Sequence, residues 1–139
     1  MTTPAGFKSL LEAKKRSMRI LIDNGEYHNA YENVGIMVEY ALKIVICKEM
    51  GRQNYPDTLR KYKTHNVHSL IEFARLEEEL NKVNVIGTEF YTNWSIVTVW
   101  DISTRYNEAW ESTKEHIEEI WEALFNEKEG VITWISNKW

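Results

Sequence analysis

The chain has 139 residues, 43% of them hydrophobic and 27% charged, so it is long enough to bury one core and carries no disordered or low-complexity tract. A formal net charge of −4 argues against a general nucleic-acid coat protein and leaves room only for a local basic patch. One cysteine, Cys47, excludes an intramolecular disulfide, no apolar run is long enough to cross a bilayer, and Met1-Thr2-Thr3-Pro4 lacks a signal-peptide pattern, so the expectation is a cytoplasmic protein with one domain over 1–139.

Apolar spacing predicts five helices and almost no sheet. In the first, Phe7, Leu10, Leu11, Lys14, Met18, Leu21 and Ile22 recur at three- and four-residue steps, and Asn24-Gly25 closes the run. The tight Asn24-Gly25-Glu26 link makes the first two helices antiparallel neighbours. The second helix runs from about Tyr27 to Met50, with Ala30, Val34, Met37, Val38, Ala41, Ile44 and Val45 on one face and Cys47 in its core. From Gly51 to Thr64 lies a long, locally basic loop in which Arg52, Arg60, Lys61 and Lys63 face one acid, Asp57, with Tyr55 and Tyr62 interleaved. Long ordered loops are disproportionately functional, though mere mobility is the alternative.

The third helix follows Thr64 or Asn66 as cap and carries Val67, Leu70, Ile71, Ala74, Leu80 and Val83. The fourth holds Phe90, Trp94, Val97 and Trp100; its β-branched content leans towards strand, whereas the spacing of its bulky residues favours helix. Ser103-Thr104 then reads as an N-cap before a fifth helix, about Tyr106 to Phe125, with Ala109, Trp110, Ile117, Ile120, Trp121 and Leu124 on its apolar face and a solvated glutamate face opposite. The tail 130–139 is apolar for a terminus and is expected to pack back on the domain or onto a partner subunit.

Few residues point to chemistry. Arg105 at the junction before the fifth helix is either an anchor, paired with Asp101 four residues earlier, or a ligand for an anion, with Tyr106 beside it to order it or to stack on a base. His65 and His68 at a helix start either hold a phosphate together with free N–H groups or cap and pack against the bundle. Their spacing could ligate a metal, but no second Cys or His pair stands nearby, so neither metal nor cofactor is expected. No Gly-rich phosphate loop, Gly-x-Ser-x-Gly elbow or His-Glu-x-x-His motif is present.

Four segments, spanning roughly residues 5–126, together resemble a known family. They are the hinge Gly25-Glu26-Tyr27-His28-Asn29-Ala30, the helical face Val38-Glu39-Tyr40-Ala41-Leu42-Lys43, the segment Thr64-His65-Asn66-Val67-His68-Ser69-Leu70, and the turn Thr104-Arg105-Tyr106-Asn107, with Asn107 where proline is usual. Their order and spacing are similar to those of the HEPN domain (higher eukaryotes and prokaryotes nucleotide-binding). The resemblance implies an all-α up-and-down bundle, often a homodimer, commonly encoded beside a minimal nucleotidyltransferase as a toxin–antitoxin or defence pair. It also implies, for many members, a metal-independent ribonuclease site built at the dimer interface from an Arg-x4-6-His motif, in which histidine moves the proton and arginine holds the phosphate.

That pair is missing where it is expected: after Arg105 the relevant positions are Trp110, Glu111 and Ser112. Arg60 to His65 does fit Arg-x4-His, but one such match is within chance expectation for a chain with this many arginines and histidines. The leading expectation is therefore a non-catalytic HEPN-like protein that binds nucleotide or RNA, or a partner protein such as a nucleotidyltransferase. Arg105, Tyr106, His65, Arg60, Lys61 and Lys63 are the candidate ligand-binding residues. The alternatives are a metal-independent ribonuclease toxin using Arg60, His65 or Arg105, and a purely structural interaction subunit.

Overall fold

A computed structural model describes residues 2–99 and 113–139. Among these residues the chain is an all-α bundle with no strand. Helix α1 (Pro4–Asp23) starts where Thr3 accepts from the Gly6 N–H at 3.0 Å and Pro4 fills a position whose own N–H would be unpaired. It buries Phe7, Leu11, Met18 and Ile22 and ends at Gly25, whose φ of 78° is the left-handed conformation glycine adopts without strain.

The expected second helix is two: α2 (Tyr27–Tyr31) and α3 (Val34–Glu49). The break has a local cause. The Asn33 backbone N–H donates to Ala30 O at 3.1 Å, a three-residue rather than four-residue closure. Its side-chain amide takes over the Asn29 carbonyl at 3.1 Å, so side chain and backbone compete for the same acceptors. Beyond it α3 is the centre of the bundle, packed on α1 and enclosed nearly all round, with Met37, Val38, Ala41, Leu42, Ile46 and Cys47 fully buried. Burial pushes the Cys47 thiol up, which suits an inert core residue.

The basic loop is ordered by its tyrosines. Tyr55 is buried, its hydroxyl donates to Tyr62 O at 2.7 Å, and its N–H donates to Thr2 O at 3.0 Å. Edge-on ring contacts run from Phe7 through Tyr55 to Tyr62. A short 3-10 turn, Arg60–Tyr62, leads to α4 (Val67–Phe73), capped by the Asn66 side chain accepting from the Ser69 N–H at 3.0 Å.

The expected third helix is also divided, because Arg75 sits at φ 56° and turns the chain into α5 (Glu77–Val83). The β-branched segment is helical after all: α6 (Glu89–Thr98) starts on Thr88 and buries Phe90, Trp94 and Val97. Tertiary packing overrides its strand preference, since there is no neighbouring strand among the described residues to pair with.

Helix α7 (Lys114–Phe125) begins on Thr113, whose extended backbone and side-chain cap set its start, so the expected fifth helix from about Tyr106 is corrected to one that starts at Lys114. The apolar tail forms α8 (Val131–Ser136), which packs on α3 and α7 with Val131 and Ile135 fully buried. Trp139 Nε1 donates to Ala41 O at 3.1 Å, Lys138 pairs with Glu79 at 2.7 Å, and Lys48 Nζ donates to Lys138 O at 3.1 Å. Of the two expectations for the tail, packing back on its own domain is the one the contacts show. The expected division into five helices is thus corrected to a larger number of shorter ones.

Arg19 on α1 clasps α7: Nη1 donates to Glu118 Oε2 at 3.0 Å, Nη2 pairs with Glu118 Oε1, and the guanidinium lies 5.0 Å from the Trp121 ring centroid. The hydrogen bond from Arg19 holds the Glu118 carboxyl below its ordinary range. A lowered folded-state value means that this stabilisation is present above the usual carboxylate pKa and is lost as pH falls through the folded value. Because both groups are about a third exposed, Arg19→Ala is expected to cost no more than about 1 kcal/mol, read as a small fall in the urea midpoint that disappears in acid.

Candidate functional site

A groove of about 940 Å³ opens beside the break between α2 and α3. Its walls come from four places. Helix α1 supplies Lys14, Ser17 and Leu21; the α2–α3 junction supplies Asn29, Glu32, Asn33, Ile36 and Glu39; the start of α4 supplies His65, Asn66, Val67 and His68; and the end of α6 supplies Thr98 and Val99. The antiparallel hinge at Gly25 brings α1 against α3, and the tyrosine-anchored loop delivers His65 to the open side.

At the groove wall three charged or titratable groups form a row. Lys43 Nζ lies 2.6 Å from Glu39 Oε1, and Glu39 Oε2 lies 2.9 Å from His65 Nδ1. Exposure changes steeply along it: the Lys43 and Glu39 side chains are 14% and 8% exposed, and that of His65 is 80% exposed. Lys43 also sits 4.7 Å from the centroid of the Tyr55 ring, so its charge is met on a second side by an aromatic face. Burial, reinforced by the Glu39 charge, pushes the phenols of Tyr40 and Tyr55 up, and both remain neutral hydroxyls beside the carboxylate.

The row and the lining together make a groove of mixed rather than strongly positive character. It offers the Lys14 ammonium, two imidazoles and the amides of Asn29 and Asn33, and its acids are Glu32 and the already paired Glu39. Such a lining carries groups that match a compact ligand with an anionic group and several hydrogen-bonding edges. Among the described residues no cluster of three or more His, Cys, Asp or Glu is placed to hold a metal ion.

The residues singled out from sequence divide into three groups. His65 is in the groove, with His68. Arg60, Lys61 and Lys63 are exposed on the 3-10 turn and just after it, outside the described lining, and Lys61 lies over the Tyr62 ring at 4.9 Å. The spacing that made Arg60 and His65 a candidate pair therefore does not bring both into this groove. Arg105 and Tyr106, with Asp101 and Trp110, lie outside the described residues.

Glu39 and Lys43 are not among the site residues that the sequence suggests, although it carries a signal for them. A glutamate and a lysine four apart, inside an otherwise apolar helical run, are expensive to bury unless they serve something. Asn33 and Lys14 gave no comparable signal.

Compared with known proteins, the chain matches no family model, no curated protein and no solved structure.

Proposed function

We propose that this chain is a HEPN-like helical-bundle protein of the cytoplasm that binds a nucleotide, free or at an RNA end, in the groove between α1, α3 and the start of α4. One observation carries the reading. The three described segments on which the resemblance rests, the hinge with Asn29, the α3 face with Glu39 and the segment with His65, all contribute to the wall of the same groove. The segment with His65 lies 26 residues beyond Glu39 and has no local reason to converge on it.

The groove's volume is in the range of small-molecule sites, and its chemistry suits the parts of a nucleotide: Lys14 and His68 for phosphate, the side-chain amide oxygens of Asn29 and Asn33 for donors on a base edge. In this reading Arg105 and Tyr106 supply a further phosphate contact and a stacking surface. The protein works as a homodimer beside a nucleotidyltransferase partner in a toxin–antitoxin or defence pair.

Titration of mononucleotides and short RNAs is expected to give saturable, salt-dependent binding, weakened about tenfold by Arg105→Ala, which removes a charge-assisted contact. His65→Ala is expected to weaken it by a smaller factor. No saturable binding, or binding unchanged in both variants, overturns the reading.

A second reading, a metal-independent ribonuclease, is favoured by one feature: a histidine held by a buried carboxylate has the orientation that acid–base work requires. Expression of the chain alone would then arrest growth, and His65→Ala would relieve the arrest. Undisturbed growth at high expression removes this second reading and leaves the first intact.

A further inference from the structure

An 80% exposed histidine ordinarily turns freely in water, yet His65 is tied at one edge to a carboxylate that is itself almost wholly buried. An ionised carboxylate can only accept a hydrogen bond, so the 2.9 Å contact places the proton on Nδ1. The carboxylate cannot swing away, because its other oxygen is taken by Lys43 at 2.6 Å. Nε2, at the opposite edge of the ring, has no hydrogen-bond partner among the described residues, and the exposed His65 side chain lines the groove.

Embedding an ion pair in a helix whose neighbours are core residues contributes little to folding compared with apolar side chains of the same size. What the pair does provide is an imidazole of fixed orientation and fixed tautomer. We propose that Glu39 is a positioning residue that keeps Nε2 of His65 as a hydrogen-bond acceptor, and that this acceptor selects ligands able to donate a ribose hydroxyl. In the neutral ring Nε2 has a lone pair and no proton, so it pairs with a donor; the phosphate falls to Lys14 on the α1 wall. The inference rests on the nucleotide-binding reading above and narrows it to nucleotides that present a 2′- or 3′-hydroxyl to Nε2.

Two measurements test it. Long-range proton–nitrogen NMR of the unliganded protein, labelled at histidine, is expected to find the neutral His65 ring protonated on Nδ1. In Glu39→Gln the single amide oxygen is claimed by Lys43 and the NH2 group faces the ring, so Nδ1 must accept and the proton moves to Nε2. A merely structural contact would not invert the tautomer in this way. A wild-type ring protonated on Nε2 overturns the positioning role.

The second measurement compares ribonucleoside monophosphates with their 2′-deoxy and 3′-deoxy forms. At least one deoxy form is expected to bind roughly three- to tenfold more weakly than the parent, the worth of one hydrogen bond. That ratio should fall to about one in His65→Ala, which removes the ring and with it the hydrogen bond to the hydroxyl. His65→Ala removes an exposed side chain and keeps the comparison available if Glu39→Gln is poorly folded. Equal binding of all forms by the wild type, or a ratio that survives His65→Ala, overturns this inference and leaves nucleotide binding standing. Absence of binding by any nucleotide overturns both, while the NMR result still decides the positioning role.

Discussion

Gly130→Ala is expected to destabilise the protein by about 3 kcal/mol, because it forces a methyl group into a packed turn. The backbone there is not unusual: φ is −70° and ψ is 144°, values any residue adopts. The obstacle is steric. A Cβ at this position would lie 2.6 Å from Asn126 N, 2.7 Å from Asn126 O and 2.8 Å from Leu124 O, all of them backbone atoms.

These atoms cannot step aside separately. Gly130 N donates to Asn126 O at 3.0 Å, and Asn126 Oδ1 accepts from the N–H groups of Lys128 and Glu129, so the α7–α8 turn is a closed set of bonds. Relieving the clash means moving α8, and with it Val131 and Ile135, out of the core. The expected readout is a fall in Tm on the order of 10 °C in thermal unfolding. Gly25→Ala is the control: it meets nothing within 4 Å but holds φ at 78°, and it is expected to cost only about 1 kcal/mol. Equal effects at the two positions would show that α8 docks too loosely for the clash to matter.

Glu39→Ala is expected to have a comparable effect for an electrostatic reason. It leaves the Lys43 ammonium, 14% exposed and set among core residues, without its carboxylate partner, at a cost of about 3 kcal/mol. The Tyr55 ring face offsets part of this but cannot replace an ion pair at 2.6 Å. Replacing both partners, Glu39→Leu with Lys43→Met, removes the unpaired charge and is expected to recover most of the stability in urea unfolding.

His65 should stand apart from both. Its side chain is exposed, so His65→Ala is expected to change stability by less than about 1 kcal/mol while abolishing the fixed imidazole. If the double replacement is as unstable as Glu39→Ala, the pair is a folding element in its own right, and the argument that it exists to hold His65 loses its basis.

The same row of residues marks how far the sequence could be read. The apolar stripes are visible in it: Phe7, Leu11, Met18 and Ile22 on α1, and Ile117, Ile120 and Leu124 on α7, lie inside as their spacing requires, because helical periodicity is a local property. The breaks within the expected second and third helices were not visible. One depends on the Asn33 amide competing for carbonyls of the preceding turn, and the other on Arg75 adopting a conformation that its residue type does not advertise. The basic loop reads as a charged surface, yet what gives it shape is the burial of Tyr55 and Tyr62 against Phe7 and Phe73.

His65 could be marked from sequence as a residue at a helix start, and the alternatives of ligand and cap could both be stated. Its actual partner, Glu39, is 26 residues away on another helix, and the groove between them also needs Lys14 from α1 and Thr98 from α6. Periodicity, caps and composition are short-range, and they were enough to specify an all-α chain and which face of each helix turns inward. The groove and the Lys43–Glu39–His65 row arise from how α1, α3, the tyrosine-anchored loop and α6 pack on one another. That packing sums many weak long-range contacts, no one of which is written in any stretch of neighbouring residues.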